Sequence, residues 1–243
     1  MARGVPLLLA ALAAPAAACS LLVDSDVGVR SDGGAGGGGD GAAPDGAGGA
    51  ADAADCPNLP NFPPFADDFS TDDMAWAIDP KIQRDGAGEI TAGVVGGALT
   101  FTPHAAGNDS AWAKSVEFDL IEGRFAVRVV SLTTDADTEA YLALLAPGVD
   151  HRMRYDGSKL RVPGGTAVTY DGEAHVWWQI RNEGYYLHFE TSPDGINWSE
   201  LDRIPANIDP TQVRIQIGVS VAAAGPVARG EFTVDDLNLP ICR

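Results

Sequence analysis

At 243 residues the chain is long enough for one large domain or two small ones, and its 16 Lys and Arg stand against 34 Asp and Glu, a net charge of −18. With no basic stripe in the sequence, nucleic acid is an unfavoured partner, because phosphate binding needs clustered cations to displace counterions. Polyanions in general are poor partners on the same reasoning, and the acidity reads as a solubilising charge, part of which could gather cations such as calcium.

The first twenty residues read MARGVPLLLAALAAPAAACS, with one cation at Arg3, an apolar run from Val5 to Ala14 and small residues before Cys19. The run is too short to span a bilayer, so residues 1–18 are expected to be an export signal and not an anchor helix. The segment resembles a bacterial lipoprotein signal, with Ala16-Ala17-Ala18-Cys19 as the lipobox and Ala16 where such signals usually carry Leu. That resemblance implies acylation at Cys19 and a lipid-anchored, extracytoplasmic protein of the cell envelope, at the outer membrane or cell surface. Ordinary signal-peptidase cleavage after Ala18 is the competing outcome.

Residues 19–55 follow as a Gly/Asp/Ala-rich tether. Seven aspartates against Arg30 give it a charge of −6, and there is almost no large apolar side chain after Val29. Such a stretch buries too little surface to offset its conformational entropy and is expected to be disordered. With +1 in the leader, −13 remains for residues 56–243, a length suited to a single β-sandwich. Three cysteines are an odd number for an oxidising compartment. Acylation of Cys19 leaves Cys56 and Cys242, one at each end of the folded part, as an expected disulfide. The chain-entropy model puts an upper value of about 5 kcal/mol on closing such a loop. Two distant cysteines and scattered histidines lack the ligand spacing of a zinc site.

Past residue 60 the pattern is strand after strand. VEFDL (116–120) and FAVRV (125–129) alternate with period two around Ile121-Glu122-Gly123-Arg124, which predicts a hairpin. RMRYDGSKLRV (152–162) predicts another, turning at Asp156-Gly157. VRIQIGVSV (213–221) is the clearest strand, with Val213, Ile215, Ile217, Val219 and Val221 on one face. The expected class is all-β, an antiparallel two-sheet sandwich.

Four segments, DDFSTDDMAW (67–76), HVWWQI (175–180), HFETSPDGINWSEL (188–201) and FTVDDLNL (232–239), resemble bacterial members of the concanavalin A-like lectin/glucanase (laminin G-like) jelly-roll superfamily. The resemblance covers roughly residues 65–240 and implies a jelly roll, while leaving lectin, glycosidase and adhesion roles open. Ser192, Asp194, Gly195 and Trp198 read as turn architecture: the aspartate accepts backbone amides two residues on and Gly195 permits positive φ.

HVWWQIRNEGYYLHFE (175–190) carries the strongest functional signal. A hairpin turning at Asn182-Glu183 would place Val176, Trp178, Ile180, Tyr185, Leu187 and Phe189 on an apolar face. The opposite face then carries His175, Trp177, Gln179, Tyr186, His188 and Glu190. Rings among amides, imidazoles and a carboxylate suit a sugar, whose C–H face stacks on an aromatic while its hydroxyls bond to polar tips. Carbohydrate or another surface polymer is therefore the expected partner besides the membrane, with an ordinary outer face or a plain adhesion module as the bland reading. A hydrolase alternative rests on Glu117, Asp119 and Glu122, which fit the ExDxxE pattern of jelly-roll glucan hydrolases and would serve as nucleophile, helper and acid/base. No cofactor motif is present: there is no G-x-S-x-G elbow, and GAGGGG (34–39) has no preceding strand. Structural calcium between Asp67, Asp68, Asp235 and Asp236 is the one ion considered, with solvated edge aspartates as the alternative.

Overall fold

Ile215, Ile217, Val219 and Val221 are all fully or almost fully buried, as one face of a strand must be when it lies against a core. They belong to β13 (Arg214–Val221), an interior strand of a sheet ordered β1-β4-β13-β6-β7-β8-β9. Its members are β1 (Gln83–Asp85), β4 (Asp109–Lys114), β6 (Thr138–Ala146), β7 (Val149–Tyr155), β8 (Lys159–Arg161) and β9 (Ala167–Thr169). A second sheet, ordered β12-β11-β10-β5-β14-β3-β2, packs against it. It consists of β2 (Thr91–Val95), β3 (Ala98–Thr102), β5 (Arg124–Ser131), β10 (Trp177–Glu183), β11 (Tyr186–Ser192), β12 (Ser199–Pro205) and β14 (Phe232–Asp235). This computed structural model describes residues 65–86, 89–105, 107–132, 135–225 and 229–238. Cys19, Cys56 and Cys242, with the leader and tether, lie outside the described residues.

All pairings in the two seven-stranded sheets are antiparallel, and the described residues form no helix. The chain is an all-β jelly-roll sandwich, as the sequence pattern predicts. Its core interleaves Leu142, Leu144, Met153 and the apolar face of β13 from the first sheet with Leu99, Phe101, Phe125, Val127, Trp178, Ile180, Phe189, Phe232 and Val234 from the second. Burying the aromatic and branched side chains contributes about 1.5–3 kcal/mol each. The remaining alternate residues of each strand form two outer faces.

The 152–162 hairpin forms as expected: Arg154 pairs with Arg161 and Tyr155 with Leu160, around Gly157 at φ 85°. Two expectations require correction. Residues 116–120 do not pair with 125–129; they cross from β4 in one sheet to β5 in the other, exchanging Phe118 N–H to Val213 O (3.0 Å) and Val213 N–H to Phe118 O (3.2 Å). Phe118 and Leu120 are buried and Glu117 and Asp119 exposed, so the alternation was real but its partner was distant in sequence. The second hairpin turns at Gly184-Tyr185, with Glu183 opposite Tyr186, two residues later than expected. Gly184 supplies the positive φ (59°) that a type II′ turn needs at its first central position. A shift of two residues preserves which face each strand side chain takes, but Tyr185 moves from the predicted apolar face to the turn, 88% exposed.

The Asp-rich segments at 67–68 and 235–236 lie side by side. Asp67 and Leu237 exchange backbone bonds of 2.9 and 2.8 Å. Their carboxylates are engaged within the protein: Asp67 accepts from Phe69 N–H (2.7 Å) and Trp76 Nε1–H (2.8 Å), Asp68 accepts from Ser70 N–H (2.9 Å), and Arg128 binds Asp235 (2.5 Å) and Asp236 (2.7 Å). Positive charge at this seam comes from a guanidinium.

The turn between β11 and β12 is built as the sequence implies. Asp194 Oδ1 accepts from the amides of Ile196 (2.9 Å) and Asn197 (2.8 Å), Ser192 Oγ accepts from the amide of Gly195 (2.8 Å), and Gly195 has φ 72°. These bonds, led by that from Asn197 N–H, hold the Asp194 carboxyl far below its ordinary value of 3.8. A depressed folded pKa contributes stability above the unfolded value, which is lost as pH falls toward the folded one. Asp194→Ala is therefore expected to lower the melting temperature at neutral pH, with a deficit that shrinks as pH drops below 3.8; thermal melts across that range measure it.

Candidate functional site

The strand β10 runs between β5 and β11, so every second residue of the three strands forms one outward surface. Trp177, Gln179, Tyr186, His188 and Glu190 share it, as the sequence predicts, together with Arg124, Arg128 and Arg181, which alternation also places there. His175 does not join them: it precedes β10, where its Nδ1 accepts from Asp171 N–H (3.0 Å) and its ring lies 5.5 Å from that of Tyr170. Burial lowers the His175 pKa.

This surface is closed. Trp177 is only 5% exposed, and Gln179, His188 and Glu190 are buried; Tyr186 alone of the six predicted residues is substantially open, at 45%. Most of the polar groups bond to one another, Gln179 Oε1 being left without a partner. Glu190 accepts from Gln179 Nε2 (2.5 Å) and from Arg181 Nη2 (2.9 Å) and Nε (3.2 Å), and Arg181 also binds Glu183. His188 Nδ1 meets Glu200 Oε2 at 2.5 Å, and its Nε2 lies 3.7 Å from Glu183. The hydrogen bond to Glu190 is the leading reason the Arg181 pKa is raised, whereas burial lowers that of Arg124. His188, Glu190 and Glu200 bring a ligand atom each within 4.8 Å of one another, the one such trio of His, Cys, Asp or Glu among the described residues. Both oxygens of Glu190 are already held by Arg181, so a cation there would have to compete with a guanidinium.

The carboxylates of the hydrolase alternative have separate local duties. Glu117 accepts from Arg214 Nη2 (2.8 Å), Asp119 accepts from Ile121 N–H (2.7 Å) in its own turn, and Glu122 is exposed at φ 47°. Glu117 lines a cavity of about 250 Å³ with Lys114 and Arg214, and neither Asp119 nor Glu122 lines it.

Sequence reading missed the outer face of the first sheet. Its residues lie in rows that no single segment contains. Successive cross-strand partners Gln83, Trp112, Gly218, Tyr141, Arg154 and Arg161 form one row, and Lys114, Gln216, Ala143 and Arg152 a second. At the usual strand spacing the first row is about 24 Å long. Trp112 is half-buried, its Nε1–H bonded to Gln83 Oε1 (3.0 Å). Beside it the neighbours close over Gly218, where an added Cβ would clash with Ala111 O at 2.5 Å, Trp112 Cβ at 2.7 Å and Tyr141 Oη at 2.8 Å. Tyr141 is buried under the Arg152 guanidinium (4.4 Å to the ring centroid) and accepts from Gln216 Nε2 (2.8 Å). Desolvation pushes its phenol up to about 12. A cavity of about 470 Å³ opens on this face, lined by Glu139, Asp150, Arg152, Arg154, Val162 and Pro163 among others. The sequence signal was present in alternate residues of β4, β6, β7 and β13, but only the strand order joins them.

Solved structures with the same architecture include glucanases. The laminarinase of Rhodothermus marinus superposes with a TM-score of 0.54 at 13% identity, over 74% of this chain and 97% of that one. SCLam, described as a non-specific endo-β-1,3(4)-glucanase of family GH16, gives 0.53 at 11% identity over 75% and 91%. The endo-1,3-β-glucanase catalytic domain of Thermotoga petrophila RKU-1 gives 0.50 at 9% identity over 71% and 94%. No family model and no curated protein matches the sequence. At these identities the likeness establishes the jelly-roll fold.

A closed surface predicts a structural role for Trp177. Trp177→Ala is expected to cost about 3 kcal/mol of folding stability, read from denaturant unfolding, with no loss of any glycan binding per folded molecule.

Proposed function

We propose that the chain is a membrane-tethered, extracytoplasmic carbohydrate-binding module whose ligand lies across the outer face of the first sheet. The observation that carries this reading is Trp112, a half-buried indole fixed by Gln83 and bordered by Gly218, the Tyr141 hydroxyl and the Gln216 amide. An accessible ring among fixed polar groups is the arrangement a pyranose needs, stacking through its C–H face and bonding through its hydroxyls. The glucanase architecture of the structural neighbours supports the same class of ligand. Binding is favoured over hydrolysis because the nearby carboxylates are engaged by arginines: Asp150 by Arg152 at 2.5 Å and Glu139 by Arg154 at 3.3 Å. A retaining hydrolase instead holds two carboxyls about 5–5.5 Å apart around the scissile bond.

The tethering rests on the signal-like leader, on Cys19 and on the 19–55 segment, whose composition gives an r.m.s. reach of about 30–35 Å if it is a flexible coil. Pairing of Cys56 with Cys242 is supported by the adjacent described chain: Asp67 bridges Leu237, and Asn238 Nδ2–H bonds to Phe65 O (3.1 Å).

Two measurements test the reading. In affinity electrophoresis through soluble polysaccharides, Trp112→Ala is expected to lose about tenfold in affinity, in line with the 1–3 kcal/mol of an aromatic stacking contact, while its melting temperature stays near wild type. Unchanged retardation would remove Trp112 from the site, and release of reducing ends from the gel polysaccharide would establish the hydrolase instead. For the anchor, cells fed an alkyne fatty acid are expected to label the wild-type chain and not Cys19→Ala, which should leave the membrane fraction. An unlabelled wild type would favour cleavage after Ala18.

A further inference from the structure

We infer that the glycan bound by the first sheet is anionic, bearing carboxylate or sulfate groups; this rests on the carbohydrate reading and assigns its ligand class. The chain is strongly acidic, yet the outer face of this sheet gathers Lys114, Arg152, Arg154, Lys159, Arg161 and Arg214, six of the 16 basic residues of the whole sequence. Strand alternation places three acidic residues, Asp85, Glu139 and Asp150, on the same face. With Glu117 and Asp156, which bind Arg214 and Arg161 at its margins, five carboxylates stand against the six cations, a local near-balance on a chain whose total is −18.

The geometry of the arginines points outward to a ligand. Arg154 and Arg161 are directly opposite one another on β7 and β8, an arrangement of like charges that weakens strand pairing. Both side chains remain open, at 48% and 42%. Each donates through one nitrogen to a carboxylate: Arg154 Nη1 to Glu139 (3.3 Å) and Arg161 Nε to Asp156 (2.5 Å). A guanidinium has five N–H donors, so several on each remain for a ligand while the carboxylate fixes the plane of the fork. Bidentate recognition of a carboxylate or sulfate oxygen pair is what such a fork does best. Lys114 and Lys159 have no carboxylate within ion-pair distance among the described residues. Arg154 lines the 470 Å³ cavity, and the row leads from these two guanidinium groups through Tyr141 and Gly218 to Trp112. A chain lying along that row would stack one sugar on the indole and set acidic groups a few residues away over the arginines.

Native affinity electrophoresis of the full chain through polygalacturonate, dextran sulfate, neutral laminarin or no polymer tests this, with a fluorescent single-stranded DNA in a parallel shift assay. Retardation by an anionic glycan is expected, weakening about tenfold between roughly 50 and 300 mM NaCl as exposed charges are screened. The double variant Arg154→Gln/Arg161→Gln should lose about tenfold, and Lys114→Gln/Lys159→Gln a smaller factor, both with wild-type thermal melts. The uronate and sulfate arms identify which anionic group is read. Equal, salt-insensitive retardation by laminarin would overturn the anionic assignment and leave carbohydrate binding standing, whereas retardation by no polysaccharide would overturn both. Unchanged binding by both double variants, or DNA bound more tightly than every glycan, would also overturn it.

Discussion

Burial of Ile215, Ile217, Val219 and Val221 determines where almost everything else on the first sheet points. Strand β13 is bonded on both edges, to β4 and β6, so its register sets theirs. A slip of one residue would carry the four aliphatic side chains to solvent and put Gln216 and Ser220 into the core, at a cost of several kcal/mol for lost apolar burial alone. With that slip excluded, Gly218 must lie between Trp112 and Tyr141, and Gln216 between Lys114 and Ala143. The outward rows are a by-product of the core. Their chemistry is less constrained than that of the core, except at Gly218, where any side chain would clash with Ala111 O.

The second sheet uses its outer face differently. Arg124 and Arg181 are opposite one another on β5 and β10, and Glu190 is opposite both Gln179 and Glu200 on the neighbouring strands. Like charges so placed repel unless a counter-charge joins them. Arg181 bridges to Glu190, His188 bridges to Glu200, and the result is a largely buried layer of linked ion pairs, with Gln179 Oε1 left unpartnered within it. Such a network is strongly destabilised by the loss of one partner, since the survivor remains desolvated. It is better suited to fixing the strands than to exchanging its bonds for those of a sugar.

The two surfaces explain what could be read from sequence and what could not. Period-two burial within a strand is local, so β13 and the sidedness of Trp177, Gln179, His188 and Glu190 were legible, as was the turn at Ser192–Gly195. Sidedness says nothing of accessibility, because that depends on neighbours from other strands: Arg181 and Arg128 crowd a face that composition alone presents as an open aromatic platform. Residues 116–120 show the same limit. Their alternation was genuine, but the nearest alternating segment was not their partner; Val213 was. The absence of a basic stripe in the sequence likewise failed to predict the surface, since Lys114, Arg154, Arg161 and Arg214 become neighbours only through the order β4-β13-β6-β7-β8.

Both described chain ends lie at the second sheet. The first backbone bridge, Asp67 with Leu237, extends the second sheet beside β14, and Asn238 N–H continues along β5 to Ala126 O (2.9 Å). The first and last described residues therefore both lie at the sheet whose outer face carries its own ion pairs. The opposite sheet carries Trp112, the arginine row and the cavity beside them, with neither chain end crossing its strands among the described residues.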